Sequence, residues 1–245
     1  MALRDNFSGF EEIKNIVIAD AVLILAFSLS LSGGISGLSA NGGIGYFLQL
    51  IPMVALGVTL SFVLHELMHK FVAQHYGAIA GFRTSMNGLI ITLVTGAFGF
   101  LLGIPGATMI YASNFTKKEN GLVSLAGPLT NFAVFVVFAA LLYSASPHFF
   151  IALVKGSNPN SNSYLVNALD FTMFISILLA FFNMLPIFPL DGSKILAWSK
   201  PVYVLVLAAI FVLMLLFFSN LISIWSIIFM LLVALLFSAF YRSVL

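Results

Sequence analysis

The sequence predicts an all-α polytopic membrane protein with six transmembrane helices and one Gly-rich segment that dips into the membrane. Composition is the first reason. The chain has 245 residues, of which 61% are hydrophobic and only 7% are charged, whereas about 25% are charged in a typical soluble domain. Run length is the second reason, because continuous apolar runs of about 17 to 24 residues suit spanning helices and not the short alternating strands of a barrel.

Six apolar runs are long enough to cross about 30 Å of hydrocarbon as helices. They comprise residues 16–31, 44–74, 122–143, 171–190, 202–218 and 221–240. The first run follows a long leader that contains Glu11 and Glu12, so we expect a retained span and not a cleaved signal peptide. A seventh run, 88–111, is equally apolar, but it is rich in glycine and contains Pro105, a poor composition for a continuous helix.

The positive charges decide whether the run 88–111 crosses the membrane, since cytoplasmic loops carry an excess of Lys and Arg. If the run does not cross, Lys155 lies alone on one side and the other nine of the ten basic residues share the opposite side. If it crosses, the distribution becomes five against five. The charges therefore predict that 88–111 enters and leaves on one side, as a hairpin or strand-like loop. Both termini are then cytoplasmic, in a multi-pass protein of the plasma membrane.

Composition also limits the chemistry and the partners. The chain has no cysteine, so disulfides are excluded and a metal site would use His, Asp or Glu. The net charge of +2 is spread over loops without a basic run, so we expect the lipid bilayer and not nucleic acid as a partner. The sequence shows no repeat and no appended soluble module, and residues 1–245 are expected to form a single membrane-embedded domain.

One pentapeptide inside the second run carries the strongest chemical signal. His65 and His69 are four residues apart and lie on one face of a helix, where their imidazoles can converge on one Zn²⁺, and Glu66 lies beside them. A purely structural polar cluster is the weaker alternative, because ionisable groups at membrane depth cost several kcal/mol unless they are paired or functional. The pattern predicts a zinc site with Glu66 as its general base.

A hydrolytic zinc needs three protein ligands and an open position, so two histidines leave one ligand to be found. The predicted span that contains His65 runs inward, which places the site near the cytoplasmic side of the membrane. Asp191 and Asp20 reach that depth, and Asp191 is better placed because it follows helix-breaking prolines and precedes Gly192. The remaining candidates lie at another depth or helix face: His75, Glu119, His148 and Asp170.

Three ordered motifs resemble the site-2 protease family of intramembrane zinc metalloproteases. They are the His-Glu-x-x-His pattern, the Gly-x-x-x-Asn element that ends at Asn131, and the block 182–192 with its Leu-Asp-Gly ending. The resemblance implies a catalytic core of about 44–193, Asp191 as the third ligand of one Zn²⁺, and Asn183 in contact with the scissile peptide or its oxyanion. It also implies that the substrates are transmembrane helices of other proteins, cleaved within the bilayer. The PDZ or CBS modules that the family often carries are not found.

Some roles stay open from the sequence. Asn183 would either donate to the oxyanion or hydrogen-bond a neighbouring helix, and Asn131 would either contact substrate or belong to a close helix contact. The run 88–111 would offer a strand edge to an unwound substrate or form a re-entrant plug. A metal-ion transporter or channel that uses the same His, Glu and Asp cluster is the alternative function, although no paired broken helices are visible. A membrane protease of another class would need a downstream Glu ligand, and Glu119 is the only later Glu.

Overall fold

The computed structural model describes residues 9–40, 43–112, 114–157, 159 and 161–219. The chain divides into two compact parts, Met1–Asn114 and Phe115–Leu245. Within the described residues, five helices are long and apolar enough to cross a membrane. They correspond to the first five predicted spans, and the sixth, 221–240, lies outside the described residues.

The first part begins with helices of very different length. They are α1 Gly9–Leu31, α2 Gly34–Ala40, α3 Gly43–Val58 and α4 Leu64–His75. A π-helical turn, Thr59–Val63, joins α3 to α4, so that Gly43–His75 is one continuous apolar helix of 33 residues. At 1.5 Å per residue this helix is about 50 Å long, more than the roughly 30 Å of hydrocarbon that it must cross.

A two-stranded antiparallel sheet follows α4, whereas the all-α prediction allowed strand-like structure only within 88–111. Strand β1, Ile79–Thr84, pairs with β2, Gly106–Tyr111, and helix α5, Met86–Ala97, lies between them in the chain. Thr84 is opposite Gly106, so the chain leaves the sheet after one strand and returns to it at the same point. Helix α5 has 12 residues, about 18 Å, which is too short to cross the bilayer.

The segment predicted as a hairpin or strand-like loop, 88–111, is therefore a short helix followed by one strand. Its strand partner, β1, precedes it in the chain, and that pairing lies outside the predicted boundaries. Glycine serves close contacts here: a Cβ on Gly88 would collide with the Ile104 carbonyl oxygen, and one on Gly106 with that of Arg83. Placement of this segment in the membrane stays a prediction.

Polar side chains of α1 connect this helix to the sheet and to α4. Glu12 is only 6% exposed, and its two carboxylate oxygens accept from Lys70 Nζ at 2.5 Å and from the backbone N–H of Phe82 at 3.2 Å. The Thr84 hydroxyl donates to Asn15 Oδ1 at 2.7 Å. A buried charge is costly unless it is paired and hydrogen-bonded, and the partners of Glu12 connect β1 and α4 to the first turns of α1.

The second part is a helical bundle with its own core. Its elements are α6 Lys117–Ala145, α7 Pro147–Val154, α8 Tyr164–Asn183, α9 Asp191–Trp198 and α10 Lys200–Phe218. Helix α6 starts with a capping box in which Thr116 and Glu119 satisfy each other's backbone N–H groups. The predicted span 171–190 starts and ends about seven residues too late, because α8 begins at a Ser163 cap and ends before Pro186. The largest fully buried core side chains include Leu142, Met173, Ile177 and Ile210.

Candidate metal centre

Two histidines converge on α4 in the first part of the chain. His65 and His69 lie about one turn apart, so that both imidazoles project from one face. Their Nε2 atoms are 3.0 Å apart, and the ring planes are nearly perpendicular, at 88°. Two nitrogens that each lie about 2.0–2.1 Å from a tetrahedral zinc would be about 3.3 Å apart. Both side chains are buried, so their placement fits two ligands of one zinc ion.

Glu66 lies on the same helix, and the sheet holds its carboxylate. Its Oε2 accepts a 2.9 Å hydrogen bond from the backbone N–H of Thr108 and lies 2.8 Å from the Thr108 hydroxyl. Thr108 lies on β2, 42 residues further along the chain. The side chain of Glu66 is partly buried, and its carboxylate is held by two donors of one strand residue.

Asp191 is the first residue of α9, in the second part of the chain. It is 6% exposed, and it lies in the first helical turn, where the helix dipole favours a negative charge. A Cβ on Gly192 would lie 2.2 Å from the carbonyl oxygen of Met184. Glycine therefore allows α9 to start directly against the chain that leaves α8. Lys194, one turn later, places its Nζ 3.8 Å from Asp191 Oδ1.

The two asparagines of the predicted site occupy different environments in this second part. Asn183 is the last residue of α8, and its Nδ2 donates to the Leu179 carbonyl oxygen at 3.0 Å. Asn131 is fully buried on α6, and neither its Oδ1 nor its Nδ2 has a partner among the residues that the structure describes. Buried amides are almost always hydrogen-bonded, so Asn131 is expected to meet a polar group that is not among these residues.

Comparison with known proteins gives the same family as the motifs. The family model described as Peptidase family M50 matches residues 53–199, which is more than half of the chain. The chain belongs to peptidase family M50. The protein named "Putative zinc metalloprotease MJ0611" of Methanocaldococcus jannaschii is 39% identical over 158 residues, covering 64% of this chain and 74% of that protein. "Putative zinc metalloprotease YwhC" of Bacillus subtilis is 30% identical over 166 residues, covering 62% and 70%. No solved structure matches the chain significantly.

This M50 peptidase is a multi-pass membrane metalloprotease with zinc as its cofactor. The predictions of the family, the enzyme class and the metal are thereby confirmed. The roles of individual residues stay predictions. Among the alternatives for the third ligand, Asp20 accepts a 2.7 Å hydrogen bond from the Thr59 hydroxyl. Thr59 lies six residues before His65, about 9 Å along the helix axis, which disfavours Asp20 as a ligand.

Sequence reasoning missed three residues of the M50 peptidase that lie around Glu66 and the sheet. Thr108 was one residue of a Gly-rich run, and no local pattern marks it. Glu12 and Lys70 were read only as a leader residue and as part of the positive-charge count. The positions of Glu12 and Lys70 near the ends of apolar runs could have predicted their ion pair, since ionisable groups near membrane depth are usually paired.

Proposed function

We propose that this M50 peptidase hydrolyses peptide bonds within the transmembrane segments of membrane-protein substrates. One observation carries the proposal: His65 and His69, whose ring nitrogens lie close together, are buried within a continuous apolar helix of 33 residues. A metal site in such a helix is suited to a substrate that is itself in the bilayer. A soluble peptide would have to lose the water around its backbone to reach that depth. The metal-transport alternative has no comparable support, since the family is a peptidase family and the relatives are named putative zinc metalloproteases.

The proposed zinc ligands are His65, His69 and Asp191. Zinc hydrolases keep three protein ligands and one open position, and α4 provides two of the three. Asp191 is supported by its burial, by its place at a helix start and by the Leu-Asp-Gly ending of its motif. Gly192 supports Asp191 as a ligand further. Its close approach to Met184 fixes the backbone from which the Asp191 carboxylate projects.

The chain's own residues would divide the chemistry between them. Zinc, when bound, supplies a Lewis acid that polarises the scissile carbonyl and makes water more acidic. The Glu66 carboxylate would take a proton from the attacking water and later pass it to the leaving nitrogen. Asn183 donates one of its two Nδ2 hydrogens to Leu179, so the second is available for the developing oxyanion. Asn131, buried without a described partner, is proposed to hydrogen-bond the substrate backbone.

The proposal is tested by coexpressing the peptidase with single-span test proteins and mapping the cut by mass spectrometry. We expect the cut to fall inside the apolar segment of the test protein. Test proteins with helix-breaking residues in that segment should be cleaved faster, because a peptide bond within an intact helix is not accessible. Cuts confined to the soluble flanks would contradict intramembrane cleavage. They would indicate a membrane-bound peptidase that cleaves loops outside the bilayer.

We propose in addition, from the distribution of Lys and Arg, that both termini and the active site lie on the cytoplasmic side of the plasma membrane. The chain has no native cysteine, so single introduced cysteines report topology without background. We expect Asn114→Cys to react with an impermeant maleimide only from the cytoplasmic side and Ser157→Cys only from outside. Reaction of Asn114→Cys from outside together with Ser157→Cys from the cytoplasm would contradict this orientation and would require the chain between α4 and α6 to cross the membrane. Reaction of both positions from the same side would contradict α6 as a span.

A further inference from the structure

We propose that Thr108 is a positioning residue that holds the general base Glu66 for catalysis. The inference rests on the proposed role of Glu66 and adds a residue from a different element, β2. Thr108 does not bind zinc and does not react. It acts by fixing the orientation of the carboxylate that does.

The contacts at Thr108 are directed at one carboxylate oxygen. The backbone N–H of Thr108 and its hydroxyl both lie within 3.0 Å of Glu66 Oε2, at 2.9 Å and 2.8 Å. The hydroxyl is also 3.1 Å from the carbonyl oxygen of Glu66. Hydrogen bonds to an ionised acceptor are about twice as strong as neutral ones. Both donors thus fix Oε2 at the edge of the sheet, and Oε1 is then the oxygen that would take up the proton.

The sheet can hold Glu66 because its opposite edge is held as well. Phe82 is the register partner of Thr108. The N–H of Phe82 donates to Glu12 and that of Thr108 donates to Glu66, so the two N–H groups point to opposite edges, as in a non-hydrogen-bonded antiparallel pair. Glu12 also accepts from Lys70, which is four residues after Glu66 on α4. These contacts attach the sheet to α4 directly at Thr108 and indirectly, through Glu12 of α1, at Phe82.

Fixing the carboxylate lowers the cost of reaching the transition state. A free glutamate side chain has three rotatable bonds and must be ordered before it can accept a proton from water at the correct angle. Removing the Thr108 hydroxyl leaves the backbone N–H bond but releases rotation of the carboxylate around it. The expected effect is a lower turnover number with unchanged substrate binding.

The experiment compares Thr108→Val with Thr108→Ser in the purified zinc-loaded peptidase. Val keeps the shape and the strand preference of Thr but lacks the hydroxyl, whereas Ser restores the hydroxyl. We expect Thr108→Val to lower kcat about tenfold with KM unchanged, as for the loss of one hydrogen bond to a charged group, and Thr108→Ser to recover most of that loss. Zinc content should stay at one per chain in both variants.

Thr84→Val is the matched control, because Thr84 lies on the partner strand and donates its hydroxyl to Asn15. It removes a similar hydrogen bond from the same sheet without touching Glu66, and kcat should not change. An unchanged or higher kcat in Thr108→Val would overturn the proposal, the higher value indicating that Thr108 holds Glu66 away from the reaction. An equal loss in Thr84→Val would reduce the effect to general sheet stability.

Two probes separate this inference from the proposed function. Each variant is assayed on a single-span test protein and on β-casein, a soluble unstructured protein. Cleavage of casein alone would contradict intramembrane cleavage and still measure the effect of Thr108. A double-mutant cycle of Thr108→Val and Glu66→Ala, followed by denaturant unfolding, requires no cleavage. We expect the combined change in the unfolding equilibrium constant to fall short of the product of the single changes by about fivefold, and independent effects would contradict the contact.

Discussion

Glu66→Gln is expected to abolish cleavage of a single-span test protein while the protein keeps its zinc. Gln is nearly isosteric with Glu and can still accept from the Thr108 N–H and hydroxyl, but its amide cannot take a proton from water. General base catalysis typically contributes about 100-fold to 10,000-fold in rate, so the residual activity should fall at or below the limit of detection. Cleavage is measured by immunoblot of the test protein and zinc by mass spectrometry of the purified enzyme.

The control for this substitution is Glu119→Gln, the same chemical change at the exposed capping box of α6. It should leave cleavage at the wild-type level, because Glu119 caps the start of a helix and is neither a proposed zinc ligand nor the proposed general base. It also tests the other protease class, in which a downstream Glu is a zinc ligand. Full cleavage by Glu66→Gln would contradict the mechanism, and loss of zinc in Glu119→Gln would support that other class.

Asp191→Ala is expected to lose both zinc and cleavage. Removing one of three protein ligands leaves two imidazoles, and even residues that only orient metal ligands change affinity by about 10-fold to 100-fold. The loss for a ligand itself should therefore exceed about a hundredfold. Zinc affinity is measured by competition with a chelator, and folding is followed separately by size-exclusion chromatography in detergent. A correctly folded Asp191→Ala protein with wild-type zinc affinity would contradict the proposed ligand set.

Asp20→Asn is the decisive comparison, since Asp20 was the other candidate for the third ligand. Asn is similar in size and keeps an oxygen that can accept from the Thr59 hydroxyl, which donates to Asp20 at 2.7 Å. We expect zinc affinity to stay unchanged in this variant. The reverse pattern, with zinc lost in Asp20→Asn and kept in Asp191→Ala, would assign the third ligand to α1.

The predicted spans agree best with the structure where composition alone determines a helix. The predicted run 44–74 and the observed helix Gly43–His75 differ by one residue at each end, because continuous apolar sequence in a bilayer can satisfy its backbone only as a helix. The run 171–190 was displaced because hydropathy does not detect the cap at Ser163 or the helix end at Asn183. Local hydrogen bonding, and not hydrophobicity, sets those boundaries.

The sequence by itself determined the membrane class, the M50 family and the histidine pair, since each depends on runs or motifs whose own residues are close together in the chain. The tertiary structure alone decided how Glu66 is held. Its partner Thr108 is 42 residues away, and Glu12 is 58 residues from Lys70. Pairings at such separations depend on which strand edges and helix faces meet after folding, and neither composition nor periodicity records them. A pentapeptide predicted the presence of a general base, and a strand from a Gly-rich run orients it.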